Sequence, residues 1–246
     1  MSFCSTLYMI DECENSLEWA KSLLAEAPHG SLFLAAKHNS PRGRQGRVWQ
    51  TMPGQLLLTF VLKPPHLDER KSTLLFMAIS LAFLQPLKAY GVGLKWPNDF
   101  VCKDKKVGGM LIEIVWQGDT VQGVIVGLGL NVNTIFPTDH PLFSLATSLR
   151  QIIGFNLQDH SIKTDLCQWL ETYYQRFEAR EYEALYEEWK QAQVYRGKSI
   201  TVHRTKEDPL CGVMNDVTQA GDLVLVTSEG IEEVVTFTNT IEIRAQ

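Results

Sequence analysis

The 246-residue chain is poor in paired cysteine, has no basic excess and lacks a long apolar run. Its five cysteines, Cys4, Cys13, Cys102, Cys167 and Cys211, are odd in number and include no Cys-x-x-Cys pair. No stretch resembles a secretory leader, so this usage predicts a reducing cytoplasm and free thiols. The most apolar stretch, Ser72 to Leu87, is 16 uncharged residues long and is interrupted by Ser80, Gln85 and Pro86. A bilayer span needs roughly 20 residues, so a buried helix is expected here, with no membrane partner. Basic residues number 23 against 28 acidic ones, a net charge of −5. That balance argues against a general binder of DNA, RNA or acidic lipid, which needs a positive footprint. The remaining composition, 45% apolar and 21% charged, is that of an ordinary globular protein. It can form one large domain, or one domain with a small appendage.

Patterning places several elements. Asn15 followed by Glu18 suits a helix start, and Leu17, Ala20, Leu23, Leu24 and Ala27 make a helical apolar stripe. Ser31–Ala36 and Gln55–Leu62 read as strands, the latter ended by Pro64 and Pro65. Residues 37 to 54, rich in Gly, Pro and Arg, read as a loop. Val92–Trp96 is strand-like and Pro97-Asn98-Asp99 is a turn signature. Lys106–Trp116 and Thr120–Val132 read as strands joined at Gly118 and Asp119. From Leu142 to Ala192 the pattern is helical, with Trp169, Tyr173, Phe177 and Leu185 as core candidates. Beyond Tyr195, short β-rich runs at Ser199–His203, Leu223–Thr227, Val234–Thr238 and Ile241–Ile243 suggest a small barrel. The expected fold class is α+β: a mixed-sheet domain flanked by helices over 1–194, then an all-β barrel-like domain over 195–246.

Charge is unevenly placed. Between Glu26 and Asp68 there is no acidic residue, yet Lys37, Arg42, Arg44, Arg47 and Lys63 lie there. Three arginines fall within six positions, interleaved with Gly43 and Gly46. Glycine permits close backbone approach, and arginine presents a rigid charged fork to carboxylate and phosphate oxygens. Such a loop in an acidic protein points to a small polyanion such as a nucleotide. A solvated surface loop or a local RNA contact is the alternative.

The run from Arg42 to Trp49 resembles the glycine–arginine loop of biotin protein ligases. Three more blocks follow in that family's order: Lys95-Trp96-Pro97-Asn98-Asp99, then Lys106 to Glu113 with Gly108 and Gly109, then Gly127 to Asn133 with Gly129 and Asn131. The resemblance covers nearly the whole chain, because the family's core is also followed by a small β-barrel. It implies an adenylating ligase that forms biotinyl-5'-AMP from biotin and Mg-ATP. The biotinyl group then passes to a lysine of a biotin carboxyl carrier domain. ATP and Mg²⁺ are implied, with no tightly bound prosthetic group.

By the same resemblance Arg44 and Lys106 are the catalytic cations, contacting the biotin carboxylate and the α-phosphate. Arg42, Gly43 and Arg47 would close over the adenylate. Trp49 would pack on adenine, or simply anchor the loop's end as a core aromatic. Lys95, Asn98 and Asp99 suit a nucleotide–metal corner, with Asp99 and Asn131 as Mg²⁺ ligands; a proline turn capped by Asp99 is the plainer reading. Gly108, Gly109, Gly127 and Gly129 would let ligand lie against backbone, and Asn133 is expected to be structural. Glu113 is a partner behind the site or an exposed strand residue.

The sequence also departs from the family. Cys13, Glu14 and Asn15 stand where a Ser-Thr-Asn triplet usually meets biotin's ureido group. His38 replaces a frequent Gln. Pro41 opens the loop where Gly is usual, which predicts a stiffer loop. No segment before residue 10 has room for the helix-turn-helix of the family's repressors, so no operator binding is expected. A homodimer through an exposed sheet edge is compatible with the resemblance. Two rivals stand beside this reading: a lipoate or octanoate protein ligase of the same fold, and a non-catalytic RNA-binding module using the arginine loop.

Overall fold

The computed structural model describes residues 3–205, 207–237 and 240–245. Thr238, the last residue of one expected strand, lies outside the described residues. A seven-stranded sheet is built from β1 (Leu7–Cys13), β2 (Ser31–His38), β3 (Gln55–Leu62), β4 (Gly93–Lys95), β5 (Asp99–Cys102), β6 (Lys105–Gln117) and β7 (Thr120–Asn131). Its order is β1-β2-β3-β7-β6-β5-β4. Only β1 and β2 pair in parallel, joined by α1 (Ser16–Ser22). The Asn15 side chain caps that helix by accepting from Leu17 N at 3.0 Å, as its sequence position predicts.

The two faces of the central strands separate by residue parity. Val61 and Ile125 face α1, with Leu17, Ala20 and Phe33, in a small core. Leu58, Phe60, Leu62, Val126 and Leu128 face the main core. That core is filled by α2 (Glu69–Leu84), α4 (Asp159–Glu178) and α5 (Tyr182–Gln191), with short α3 (Leu149–Ile153) beside them. The apolar stretch expected as a buried helix is α2 with a 3-10 extension over Gln85–Tyr90. The segment Arg70–Tyr90 is long and apolar enough to span a membrane, but Leu75, Met77, Ala78, Ile79, Leu81 and Phe83 on it are almost wholly buried in this core.

The C-terminal unit is a five-stranded antiparallel sheet of β8 (Ser199–Arg204), β9 (Leu210–Val217), β10 (Leu223–Val226), β11 (Glu232–Val235) and β12 (Thr240–Ala245), in the order β11-β10-β9-β8-β12. It is locked to the first unit by Trp96 Nε1 donating to Gly221 O at 2.8 Å, Tyr186 Oη to Val217 O at 2.7 Å, and a 2.8 Å Lys190–Asp216 ion pair.

Three expectations are corrected. Trp169 is not core but 39% exposed, because its helix turns Leu166, Leu170, Tyr173 and Phe177 inward instead. Residues 142 to 148 are not helix but a turn over 142–145, followed by Ala146 bridging to Lys106. Cys4 and Cys167 are not free thiols: they form a disulfide across 163 residues with a Cα–Cα distance of 6.1 Å, a separation that suits the bond. Cys13, Cys102 and Cys211 are free.

Candidate functional site

Strand register brings the sequence blocks onto one line. Across the sheet Leu57 pairs with Gly129, Gly129 with Gly109, Gly109 with Asp99, and Asp99 with Lys95. The next row is Thr59, Gly127 and Leu111. Residues directly opposite on neighbouring strands share a face, so three glycines lie side by side as a floor of bare backbone. A cavity of about 770 Å³ opens over this floor, within the roughly 300–1,000 Å³ range of ligand pockets.

Lys106 reaches the cavity through a β-bulge. Gly109 and Leu111 point there with odd numbers, so Lys106 in a regular strand would point to the other face. The register of β5 on β6 shifts between Phe100 and Val101, and such a bulge re-aims a side chain. Lys106 Nζ then pairs with Asp99 Oδ1 at 2.7 Å and lies 5.3 Å from the Trp49 ring.

The arginine loop folds as a tight hairpin. Gly43 N donates to Arg47 O at 2.7 Å and Trp49 N to Pro41 O at 2.8 Å. At its tip Arg44–Gly46 form one 3-10 turn, with Gln45 at φ 55°. Arg44 Nη1 donates to Asn98 Oδ1 at 3.4 Å, while Nη2 donates to Phe237 O and Thr240 O at 2.7 and 3.0 Å. Burial, with Arg47 adding repulsion, pushes the Arg44 guanidinium down to about 10. Burial likewise lowers the Lys95 ammonium, opposed by Asp99 and Glu242.

Of the residues singled out in sequence, Asn15, Arg42, Gly43, Arg44, Arg47, Trp49, Lys95, Asn98, Asp99, Lys106, Gly109, Gly127, Gly129 and Asn131 line this cavity. Cys13, Glu14, His38 and Gly108 do not. Glu14 instead accepts from Asn39 Nδ2 at 3.0 Å. His38 is buried and held below the ordinary histidine range by that burial. A Cβ on Gly108 would come within 2.7 Å of Gly129 O, so that glycine serves close strand approach at the bulge. Trp49 lies on Gly129, where an added Cβ would meet its ring at 2.8 Å; the indole covers the outer floor and anchors the loop. The Asn131 side chain is engaged on both sides, accepting from Gln55 Nε2 at 3.0 Å and donating to Thr147 O at 3.0 Å. Asn133 bonds Leu157 through both its Oδ1 and its Nδ2, a structural clasp.

Sequence reasoning missed several lining groups. Arg244 and Glu242, paired at 3.0 Å, enter from β12, and Tyr195 and Asp104 close the Lys95 side. Strand identity alone carries no signal for them, because only the docking of the second unit turns β12 toward the cavity. At the α1 end, Ser16 Oγ and Thr59 Oγ1 meet at 2.8 Å beside Leu17 and Leu57. The lining therefore carries six cations, Arg42, Arg44, Arg47, Lys95, Lys106 and Arg244, against three acids, Asp99, Asp104 and Glu242, in a protein whose net charge is −5.

A cavity with apolar groups and hydroxyls beside α1 and six cations from the arginine hairpin, β4, β6 and β12 defines a binding site for small anionic ligands. The sequence profile of the biotin/lipoate A/B protein ligase family matches residues 8–131, just over half of the chain, and the chain belongs to that family. It is 30% identical over 213 residues to the bifunctional ligase/repressor BirA of Bacillus subtilis, an alignment spanning 85% of this chain and 65% of that protein. It is 36% identical over 115 residues to the biotin–[acetyl-CoA-carboxylase] ligase of Paracoccus denitrificans, covering 44% of this chain and 48% of that protein. Among solved structures, the biotin protein ligase of Aquifex aeolicus in complex with biotin and ATP has the same fold, with a TM-score of 0.79 at 23% identity, over 98% of this chain and 100% of that one.

Proposed function

We propose that the chain is an ATP-dependent biotin protein ligase. In its first step a carboxylate oxygen of biotin attacks the α-phosphorus of ATP, and pyrophosphate leaves. In its second step the amine of an acceptor lysine attacks the acyl carbon of biotinyl-5'-AMP, AMP leaves with the bonding electrons, and the nitrogen gives up a proton. The acceptor is a biotin carboxyl carrier domain.

The observation that carries this reading is the convergence at Asn98-Asp99, where Arg44 reaches Asn98 and Lys106 reaches Asp99 from segments far apart in sequence. Two anions meet only where positive charge is already fixed between them, and such preorganised charge supplies most of the catalysis in a transfer of this kind. The glycine floor lets the acyl chain lie on backbone. The Ser16–Thr59 pair and Asn15 offer a polar end for a ureido group in otherwise apolar surroundings.

Magnesium fits through one carboxylate. Among the described residues no three His, Cys, Asp or Glu side chains cluster as a metal site, and Asn131 is already engaged. Mg²⁺ commonly takes one or two carboxylates with phosphate oxygens and water, so Asp99 would hold it once the triphosphate is present. The ion would screen the triphosphate charge. A requirement for ATP as co-substrate supports a cytoplasmic location, an expectation that the cysteines no longer carry because Cys4 and Cys167 are bonded. The exposed edge strand β1, with Met9 72% exposed, is where we place a homodimer contact.

Exchange of labelled pyrophosphate into ATP tests the reading. The expected result is exchange that requires biotin and ignores lipoate. Exchange that follows lipoate would move the activity to the other branch of the family. Salt-dependent RNA binding with no exchange would replace the enzyme with a nucleic-acid role.

A further inference from the structure

Arg44 does not stand at the cavity wall unaided. Its guanidinium lies over the Phe237 ring, 4.1 Å from the centroid, and the carbonyl of the same residue accepts from Nη2 at 2.7 Å. Phe237 is itself fixed from both units. Phe76 meets its ring edge-on at 5.8 Å and Trp96 at 6.3 Å, while Asp222 Oδ1 accepts from its N–H at 3.4 Å. Trp96 is in turn buried and tied to Gly221 O. The Asn98, Phe237 and Thr240 bonds use three N–H groups of Arg44, out of the five a guanidinium carries. Among the described residues the other two have no protein acceptor.

We propose that Phe237 is the positioning residue of Arg44: its ring and its carbonyl, presented by the C-terminal unit, hold the loop arginine in the orientation that receives the α-phosphate. This rests on the role given to Arg44 above. The physical need is plain. Arginine has long, freely rotating bonds, and a loop cation that must be in place when charge develops loses its advantage if it swings between poses. An aromatic face restricts the guanidinium to one plane, and the two carbonyls fix its rotation within that plane. Sequence alone connects nothing here, since the partners are 193 residues apart. The arrangement gives the β-rich appendage a part in chemistry whose cations lie mostly in the first unit.

The test is a double-mutant cycle in the full chain, read as single-turnover adenylate formation at saturating biotin and Mg-ATP. A cation–π contact contributes about 0.5–2 kcal/mol, so Phe237→Leu should slow adenylation by about 2- to 30-fold. The KM for biotin should not move, and Phe237→Tyr, which keeps the ring, should restore the rate. In an Arg44→Ala background Phe237→Leu should cost nothing further. If Leu melts the fold, Phe237→Met, unbranched and adaptable, carries the same comparison. Losses that simply multiply in the double variant, or a Tyr variant no better than Leu, overturn the positioning role while leaving the ligase reading intact. A wild-type chain that forms no adenylate overturns that reading, and the proposal with it.

Discussion

Gly129→Ala probes the floor of the site and the seat of the loop together. A Cβ at position 129 would stand 2.8, 2.9 and 3.1 Å from three atoms of the Trp49 indole. Ordinary carbon contacts begin near 3.4 Å, so a rigid bicycle must retreat by several tenths of an ångström. Trp49 cannot do so alone. Its N–H holds Pro41 O and its Nε1 donates to Gln55 Oε1 at 3.3 Å, so the shift passes into the arginine hairpin and toward Lys106. Overpacking of this kind costs about 1–3 kcal/mol. Charged against the closed loop, that is roughly a 5- to 150-fold loss of adenylation at unchanged enzyme concentration. Gly127→Ala is the internal control. Its Cβ would meet Leu17 Cδ2 at 2.9 Å but Cγ only at 3.5 Å, and the end of a leucine can rotate aside. The expected order is therefore a large loss for Gly129→Ala and a smaller one for Gly127→Ala, measured by biotin-dependent pyrophosphate exchange with thermal unfolding alongside. Equal effects, or a Gly129→Ala enzyme within twofold of wild type, would refute the claim that Trp49 needs bare backbone beneath it.

Lys106→Met should lower adenylation by about 10²–10³-fold with little change in the unfolding midpoint, since the partly exposed pair to Asp99 adds little stability; a loss below tenfold would remove Lys106 from the chemistry. Amide exchange across residues 39 to 47 should be slowest at Asn39, Ser40, Gly43 and Arg47, whose N–H groups donate to Cys13 O, Glu14 O, Arg47 O and Arg44 O; exchange as fast as in a free peptide would contradict the stiff hairpin. Burial lowers the His29 imidazole, with the N-terminus and Lys63 adding to it, and burial lowers His38. Below about pH 6.5 the unfolded chain therefore binds protons that the folded chain refuses, and stability falls on acidification through that window. His29→Gln combined with His38→Gln should flatten the urea-derived stability curve on the acid side of about pH 6.5; an unchanged slope would assign the acid sensitivity elsewhere.

Where the chain's own pattern sufficed, it did so for local reasons. Gln55–Leu62 is a strand with its ends where the prolines put them, and Asn15 caps α1 because capping needs only neighbours. The glycine and lysine blocks were visible as motifs, but their alignment in one row is a property of register, set by pairing across four strands. Edge strand β1 escaped notice because Leu7–Cys13 is largely exposed and carries two acids, so neither period nor apolar run marks it. The bulge that turns Lys106 inward leaves no mark in composition. The Ser-Thr-Asn comparison placed Cys13 and Glu14 at the ligand, whereas the chain leaves them outside the cavity and brings Ser16 and Thr59 together instead. Arg244 and Phe237 belong to a strand and a turn whose importance comes only from where the second unit docks. The Cys4–Cys167 bond was hidden by a sequence separation of 163.

The grip of the loop on the C-terminal unit is made to main chain. Arg44, Gln45 and Arg47 donate to the carbonyls of Phe237, Thr240 and Ile241. Every amino acid offers the same carbonyl, so substitutions at exposed Ile241 can accumulate without loosening its bond, whereas Thr240 is fully buried and its hydroxyl donates to Thr236 O at 3.2 Å. A one-residue insertion or deletion between 237 and 241 would change the spacing of these acceptors, so that Phe237 O and the Thr240 and Ile241 carbonyls could not all keep their present donors. At 241 spacing is under tighter constraint than side-chain identity, whereas the aromatic ring at 237 and the buried hydroxyl at 240 are held by identity as well.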